Sequence, residues 1–227
     1  MSPRAPSNNW LISAGDPNKQ PCRSLRDYSS IGLTAYARWA TSMPTLTRDV
    51  LVITLGKTPQ VVTETIWALL SRANPFVPTA IHLVTTESGR QLCQARLTGA
   101  DGPLARVYEH FGLLPVEPIL HLPRDAAGFE MRDVRTEAEN AAFANTLTLL
   151  VRQIASDPGT RLHVSLAGGR KTMSAYAAAA ISLFGRDRDE LSHVLVEPAM
   201  LEQSQTSWFQ PSRLFYLPEG CTYPCTY

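Results

Sequence analysis

RLHVSLAGGRKTMSAYAAAAISLFG, residues 161–185, carries the signals that decide the fold. Its opening RLHVSLA alternates polar and apolar side chains, the period of a half-buried strand. Gly168 and Gly169 then break the run, and Lys171–Phe184 is an Ala-rich segment with the composition of a helix. A short strand that passes through a glycine turn into a helix is half of a βαβ unit, so the stretch predicts an α/β sheet.

The same grammar repeats on either side. DVLVITL (49–55) is a short apolar run ending in Gly56, the profile of a buried parallel strand. Residues 59–71 follow with helical spacing, Val62, Ile66, Leu69 and Leu70 sharing a face. AIHLVTT (80–86) predicts a second strand, and one helical stretch then runs from Ser88 through Gly99–Pro103 to Phe111. EPILHLP (117–123) is a third strand, followed by a polar loop, RDAAGFEMRDVR. A helix over 136–155 comes next, with Phe143, Leu147, Leu150 and Ile154 on one side. RLHVSLA is then the fourth strand, LSHVLVEP (191–198) the fifth, and RLFYLP (213–218) a candidate sixth.

Strands alternating with helices give the expected fold class: α/β, a Rossmann-like, open and mostly parallel sheet flanked by helices. Residues 1–47 are rich in Pro, Ser, Asn and Arg and show little periodicity outside IGLTAYARWA, so they are expected to form a loosely ordered extension. The Rossmann domain is expected over 48–198, with 199–227 as a C-terminal tail that can add a strand to the sheet.

Composition narrows the function classes. With 44% hydrophobic and 18% charged residues the chain has the make-up of a globular protein. A net charge of +1 argues against a general nucleic-acid binder, so an anionic ligand must be met by a local cluster. No apolar run reaches the length of a membrane span, and the N-terminus lacks the pattern of a secretory signal, which implies a cytoplasmic protein with no membrane partner. Of the four cysteines (Cys22, Cys93, Cys221, Cys225) only the last two are close, and no His or Cys pair completes a zinc set. Reduced thiols and no metal or cofactor are the expectation.

In open α/β sheets ligands bind beyond the carboxyl ends of the strands, so the residues just after each strand are the candidates. The first strand gives Gly56, Lys57, Thr58 and Gln60; the second gives Thr85 and Thr86. The loop after the third holds Asp133 and Arg135, and the fourth leads into Ala167, Gly168, Gly169, Arg170, Lys171, Thr172 and Ser174. Gly56-Lys57-Thr58 looks like the end of a Walker A loop, but the earlier glycine would have to be residue 51, which is Leu51. In Gly169-Arg170-Lys171-Thr172 an arginine interrupts the motif, and no GxGxxG follows the first strand. A P-loop NTPase and a dinucleotide dehydrogenase are therefore set aside.

Two readings of the glycine pair remain. It can be a structural strand-to-helix turn, capped by Thr172 and followed by two solvated basic residues. It can equally be an anion cradle, in which glycines let backbone N–H groups approach a ligand and the helix adds its unpaired N–H groups and positive dipole end. In that case Lys171 supplies a point charge and Arg170 a bidentate fork.

Four segments together resemble the CRISPR-associated Rossmann-fold (CARF) proteins: LGKTPQVVTETIWAL, IHLVTTESGR, MRDVRTEAEN and SLAGGRKTMSAYAAAAISLFGRDRDELSHVLV. Within that family they are most similar to the small group that includes stand-alone ring nucleases, over residues 49–198. The resemblance implies a homodimer that binds a cyclic oligoadenylate (tri-, tetra- or hexa-adenylate) across its two-fold axis. Some members only sense the ring and recruit or regulate a partner effector; others cleave it. The tail after residue 198 is shorter than an effector domain and lacks the signature of an attached HEPN ribonuclease, which favours a ring nuclease.

Cleavage so implied needs no metal. The 2′-OH beside each phosphate attacks it, giving linear products with a 2′,3′-cyclic phosphate, provided the protein aligns that hydroxyl and stabilises the phosphorane. On this reading Lys171, Arg170 and Thr58 are catalytic, with Lys171 the main electrostatic group. Gln60 orients ribose or phosphate, Asp133 and Arg135 act as a lid or contact the bases, and the other strand-end residues bind. His82, His121, His163 and His193 fall within predicted strands, where packed core or sheet-face roles are expected, and His110 is expected to face solvent from a helix. A nucleotide-binding protein unconnected with defence is the remaining alternative.

Overall fold

The computed structural model describes residues 48–195 and 213–216, with Leu195 and 213–216 as backbone only. The expected extension over 1–47 and most of the tail lie outside the described residues. Strand β1 (Arg48–Thr54) opens the domain because DVLVIT offers apolar side chains to both faces of a sheet, and from Val50 onward every residue of it is buried. It leads into α1 (Gln60–Leu70), then β2 (Ala80–Val84), α2 (Glu87–Arg96), α3 (Pro103–His110) and β3 (Ile119–His121). After a long loop come α4 (Glu137–Ala155), β4 (Thr160–Ser165), α5 (Lys171–Phe184), β5 (Glu190–Leu195) and β6 (Arg213–Tyr216).

The single helical stretch expected over 88–111 is two helices. Gly99 adopts φ +116°, a left-handed conformation that ends α2, and Gly102 packs so closely that a Cβ would lie 2.8 Å from the Leu97 and Thr98 carbonyl oxygens. Pro103 then starts α3 at a position where its missing N–H costs nothing. The helix over 136–155 is as expected, and its start is explained by a capping box. Thr136 Oγ1 accepts from Glu139 N–H at 3.2 Å, and Glu139 accepts from Thr136 N–H at 2.8 Å.

The sheet order is β3-β2-β1-β4-β5-β6, with β1 to β5 parallel and β6 antiparallel to β5. This is the Rossmann-like fold class expected, in the strand order of doubly wound dinucleotide folds. Val50, Val52, Val84, Leu162 and Val164 face α4 and α5, where Phe143, Leu147, Val151, Ala177 and Ile181 cover them. Leu51, Ile53, Leu55, Ile81 and Leu83 face the other layer, packed by Val62, Ile66 and Leu69 of α1 and by Leu104, Val107 and Tyr108 of α3. At roughly 1.5–3 kcal/mol for each fully buried large aliphatic, these two layers dominate the stability of the sheet. The chain proceeds outward from β1 to β3 and then returns to place β4 beside β1, so the strand order reverses at the β1–β4 boundary.

Candidate functional site

At that boundary two loops collide, and glycine is what lets them. The Thr54 hydroxyl donates to the Gly168 carbonyl at 2.7 Å, and a Cβ on Gly168 would overlap the Thr54 carbonyl oxygen. A Cβ on Gly56 would lie 2.8 Å from Gly169 Cα, while Gly169 holds φ +86°. A Cβ on Gly89, in the first turn of α2, would run into Thr85 Oγ1, itself bonded to the Leu55 carbonyl at 2.7 Å. Gly56 and Gly168 thus let the two loops pack against each other, whatever else they do as part of the cleft wall.

Above this knot lies a cleft of about 550 Å³. Its walls are the β1–α1 loop (Gly56, Lys57, Thr58), the head of α2 (Thr86, Ser88, Gly89) and the β4–α5 turn (Ala167, Gly168, Gly169, Arg170), with Asp133 reaching in from the long loop. A second, more open depression adjoins it on the far side of Gly169 and Arg170, lined by Val134, Arg135, Asn140, Lys171 and Thr172. Gly169 and Arg170 line both and form the ridge between them.

The helix starts around the site are not alike. α4 caps itself, and the first N–H groups of α2 donate to the Met131 and Arg132 carbonyls at 2.9 and 3.4 Å. The cap position of α5 is Arg170, whose own N–H donates to Met173 Sδ at 3.3 Å, so Thr172 is not the cap considered above. The Lys171 and Thr172 amides have no partner among the described residues. Its start thus keeps two donors and a positive dipole end for an anion.

The charges differ in the same way. Arg170 donates to Asp133 through Nη2 at 2.8 Å and Nε at 3.3 Å. Asp133 also accepts from Arg135 Nε at 3.1 Å and from the Val134 N–H at 2.8 Å. The Arg170 hydrogen bonds, helped by those from Val134 and Arg135, hold the Asp133 carboxyl well below the usual carboxylate range and raise Arg170 in turn. A carboxylate with two donors on each oxygen is a holder, not a base. Lys57 and Lys171 have no carboxylate partner among the described residues, so the site carries net positive charge.

Of the residues singled out from the sequence, Gly56, Lys57, Thr58, Thr86, Asp133, Ala167, Gly168, Gly169 and Arg170 line the main cleft. Arg135, Lys171 and Thr172 line the second depression instead, so Thr58 and Lys171 open on opposite sides of the ridge. Three others stand behind the walls. Thr85 is wholly buried; Ser174 Oγ donates to the Leu166 carbonyl at 2.9 Å; and Gln60 is buried, its Oε1 without a partner among the described residues.

Ser88 and Glu64 fall within the strand-end stretches singled out from the sequence without a role of their own, and His193 has no part in the site as read from the sequence; all three line the cleft. His193 is exposed at the cleft margin, on the part of β5 that runs past the end of β4 and pairs with β6. His163 is fully buried between Glu190 and Ser192, the packed role expected of it. His82 and His121 are half-buried and stacked, with Nδ1 and Nε2 2.8 Å apart, while His110 is exposed and stacks on Trp67. Glu64 had a signal of its own, a carboxylate on the α1 face that otherwise carries Val61 and Thr65 towards β4. Among the described residues no group of three or more His, Cys, Asp or Glu is placed to hold a metal ion. None of the described helices is long and apolar enough to cross a membrane.

The profile of one protein family, described as CRISPR-associated protein NE0113, matches residues 58–216, well over half of the chain. No curated protein matches. Among solved structures, Enterococcus italicus Csm6 bound to cyclic hexa-2′-fluoro-hexa-dAMP aligns with a TM-score of 0.49 and 13% identity, over 76% of this chain and 42% of that one. A candidate UDP-N-acetylglucosamine 2-epimerase of Listeria monocytogenes aligns with a TM-score of 0.37 and 15% identity, over 65% of this chain and 31% of that one. The chain thus spans less than half the length of either structure.

Proposed function

The chain belongs to the CRISPR-associated protein NE0113 family, and from that membership we propose that it is a ring nuclease that cleaves a cyclic oligoadenylate. A CRISPR-associated family on a Rossmann-type sheet agrees with the CARF resemblance of the strand-end motifs, and the substrate class comes from that resemblance. The observation that carries the reading is the pair of unneutralised lysines, Lys57 and Lys171, on either side of Arg170 where two strand ends meet. They supply charge for a polyanion without making the whole surface basic.

The proposed arrangement puts one nucleoside in the main cleft, with its 5′-phosphate towards Lys57 and its 3′-phosphate over the ridge towards Lys171. Thr58 orients the ribose. The 2′-oxygen then bonds to phosphorus, the bond from phosphorus to the next nucleotide's 5′-oxygen breaks, and the 2′-OH proton passes to that leaving oxygen. Lys171, Arg170 and the free α5 amides stabilise the negative charge of the phosphorane. His193, the imidazole at the cleft margin, can carry the proton. Asp133 has no such part, since both of its oxygens are already occupied. A homodimer would close the ring site across its axis.

The test is incubation with cyclic tri-, tetra- and hexa-adenylate in the presence of EDTA, with products separated by chromatography. Linear products ending in a 2′,3′-cyclic phosphate are expected. Tight binding without turnover would make the protein a sensor that signals to a partner, and turnover abolished by EDTA would defeat attack without a metal.

A further inference from the structure

Arg170 occupies an unusual position for a surface arginine. It forms the ridge between the two depressions, at the residue where Gly169 in its left-handed conformation hands the chain to α5. A long side chain there would ordinarily sweep between both sides and commit to neither. Asp133 prevents that by gripping one edge of the guanidinium, at Nε and Nη2, and leaves the Nη1 end without a partner among the described residues. Asp133 is itself held. Its remaining acceptor sites take Val134 N–H and Arg135 Nε, and its loop is fastened to the head of α2 by Glu87 N–H to the Met131 carbonyl (2.9 Å) and Ser88 Oγ to the Arg132 carbonyl (2.9 Å).

The consequence lies in what stands on each side. Lys57 is in the main cleft, while Lys171, Arg135 and the free α5 amides are in the second depression. We infer that Asp133 is a positioning residue that fixes Arg170 as a post between two phosphate subsites, so that the site takes two consecutive phosphodiesters flanking one nucleoside, one on each side of the post. The carboxylate costs some attraction for an anion, and that cost is offset because a guanidinium already oriented loses little freedom when it binds phosphate. Selectivity follows. A mononucleotide fills one subsite, whereas a nucleoside carrying both 3′- and 5′-phosphates fills both.

This inference rests on the reading of the site as an oligonucleotide site, but its test does not need turnover or a ring. The probes are 5′-AMP, 3′-AMP and adenosine 3′,5′-bisphosphate, with affinities measured by calorimetry at fixed salt. The wild-type protein should bind the bisphosphate at least tenfold more tightly than either monophosphate. Asp133→Ala should cut that ratio at least fivefold, and in an Arg170→Ala background the same change should leave the ratio where Arg170→Ala put it. A purely structural role for Asp133 would lower the melting temperature in both backgrounds without moving the ratio, and that result overturns the inference. So does a wild-type ratio near one. Asp133→Asn, which keeps the size of the side chain, takes over if the alanine variant does not fold. If the bisphosphate preference appears but no cyclic oligoadenylate binds, the ring reading fails and the two-phosphate site stands.

Discussion

The two ends of the sheet use the same residue types and put them to opposite ends. Towards the amino ends of its strands, Arg161 meets Asp49 at 2.7 Å, Arg186 meets Asp189 at 2.7 Å, and Arg72 meets Glu190 at 2.8 Å. Glu190 also bonds His163 at 3.1 Å, and His163 bonds Ser192 at 2.6 Å. That last series has the connectivity of a Ser-His-Glu triad, yet Ser192 and His163 are 1% and 0% exposed. No substrate reaches it. At the carboxyl ends, by contrast, Asp133 is taken up by arginines and two lysines have no carboxylate partner among the described residues. Satisfied charge marks the part of the molecule that holds itself together, and surplus charge marks the part that waits for something else.

If that contrast is right, each end should fail in its own way. The largest effect is expected at Lys171. On the proposed ring-nuclease reading, Lys171→Ala should lower turnover of cyclic oligoadenylate about 10²–10³-fold, as loss of a transition-state donor does, with the melting temperature unchanged. Single-turnover cleavage and a thermal melt together check this, and unaltered cleavage would show that the charge sits elsewhere. His163→Ala should do the reverse. It strips the Glu190 carboxylate and the Ser192 hydroxyl of a buried partner and should cost about 3 kcal/mol of stability. Its turnover at a temperature where it remains folded should stay within about twofold of wild type. A large kinetic effect at intact stability would mean the two ends communicate.

The contrast also separates what could be read from the sequence from what could not. The strands of the described domain and the helices α1, α4 and α5 were legible because each carries its own period or its own cap, as TEAE does for α4. The break at Gly99–Pro103 needed more weight on a glycine and a proline within an otherwise helical pattern. The strand-end rule found the region of the cleft, since the topology alone fixes where loops converge. It could not tell Thr86, on the wall, from Thr85, behind it, because one residue of pleat decides between them. Nor could it find His193 or divide Thr58 from Lys171, since both depend on how far one strand or ridge projects past its neighbours.

Acid should act on the amino-end network and the histidine pair before it acts on the Asp133 grip. Burial holds His163 and His121 below the ordinary imidazole value, and burial together with His121 brings His82 down to about 4. The unfolded chain therefore takes up these protons first. Their contribution to stability is whole above about pH 6.5 and is lost progressively as pH falls below it. Glu190, brought down to about 2 by His163 and Arg72 against its desolvation, adds a further loss below its ordinary value near 4.5. Asp133 remains charged throughout that range. Urea midpoints should hold from pH 7.5 to about pH 6.5 and fall from there to pH 5, while the bisphosphate-to-monophosphate affinity ratio changes far less. A ratio that collapsed in step with stability would deny the separation of the two ends.

The smallest expected effect probes the one helix start beside the site that the protein caps for itself. Thr136 Oγ1 takes the Glu139 N–H, and Glu139 takes both the Thr136 and Arg135 N–H groups, so in the first turn of α4 only the Glu137 and Ala138 amides are without a partner among the described residues, and they stand beside two carboxylates. Thr136→Ala removes one half of that box and should cost about 1 kcal/mol, a melting shift of about 2–4 °C for a domain of this size. Because the lost bond serves the protein alone, nucleotide should restore no more stability to this variant than to wild type. A larger restoration would mean that ligand completes the cap. α4 would then belong with α5 among the elements that the ligand, and not the sequence, is left to finish.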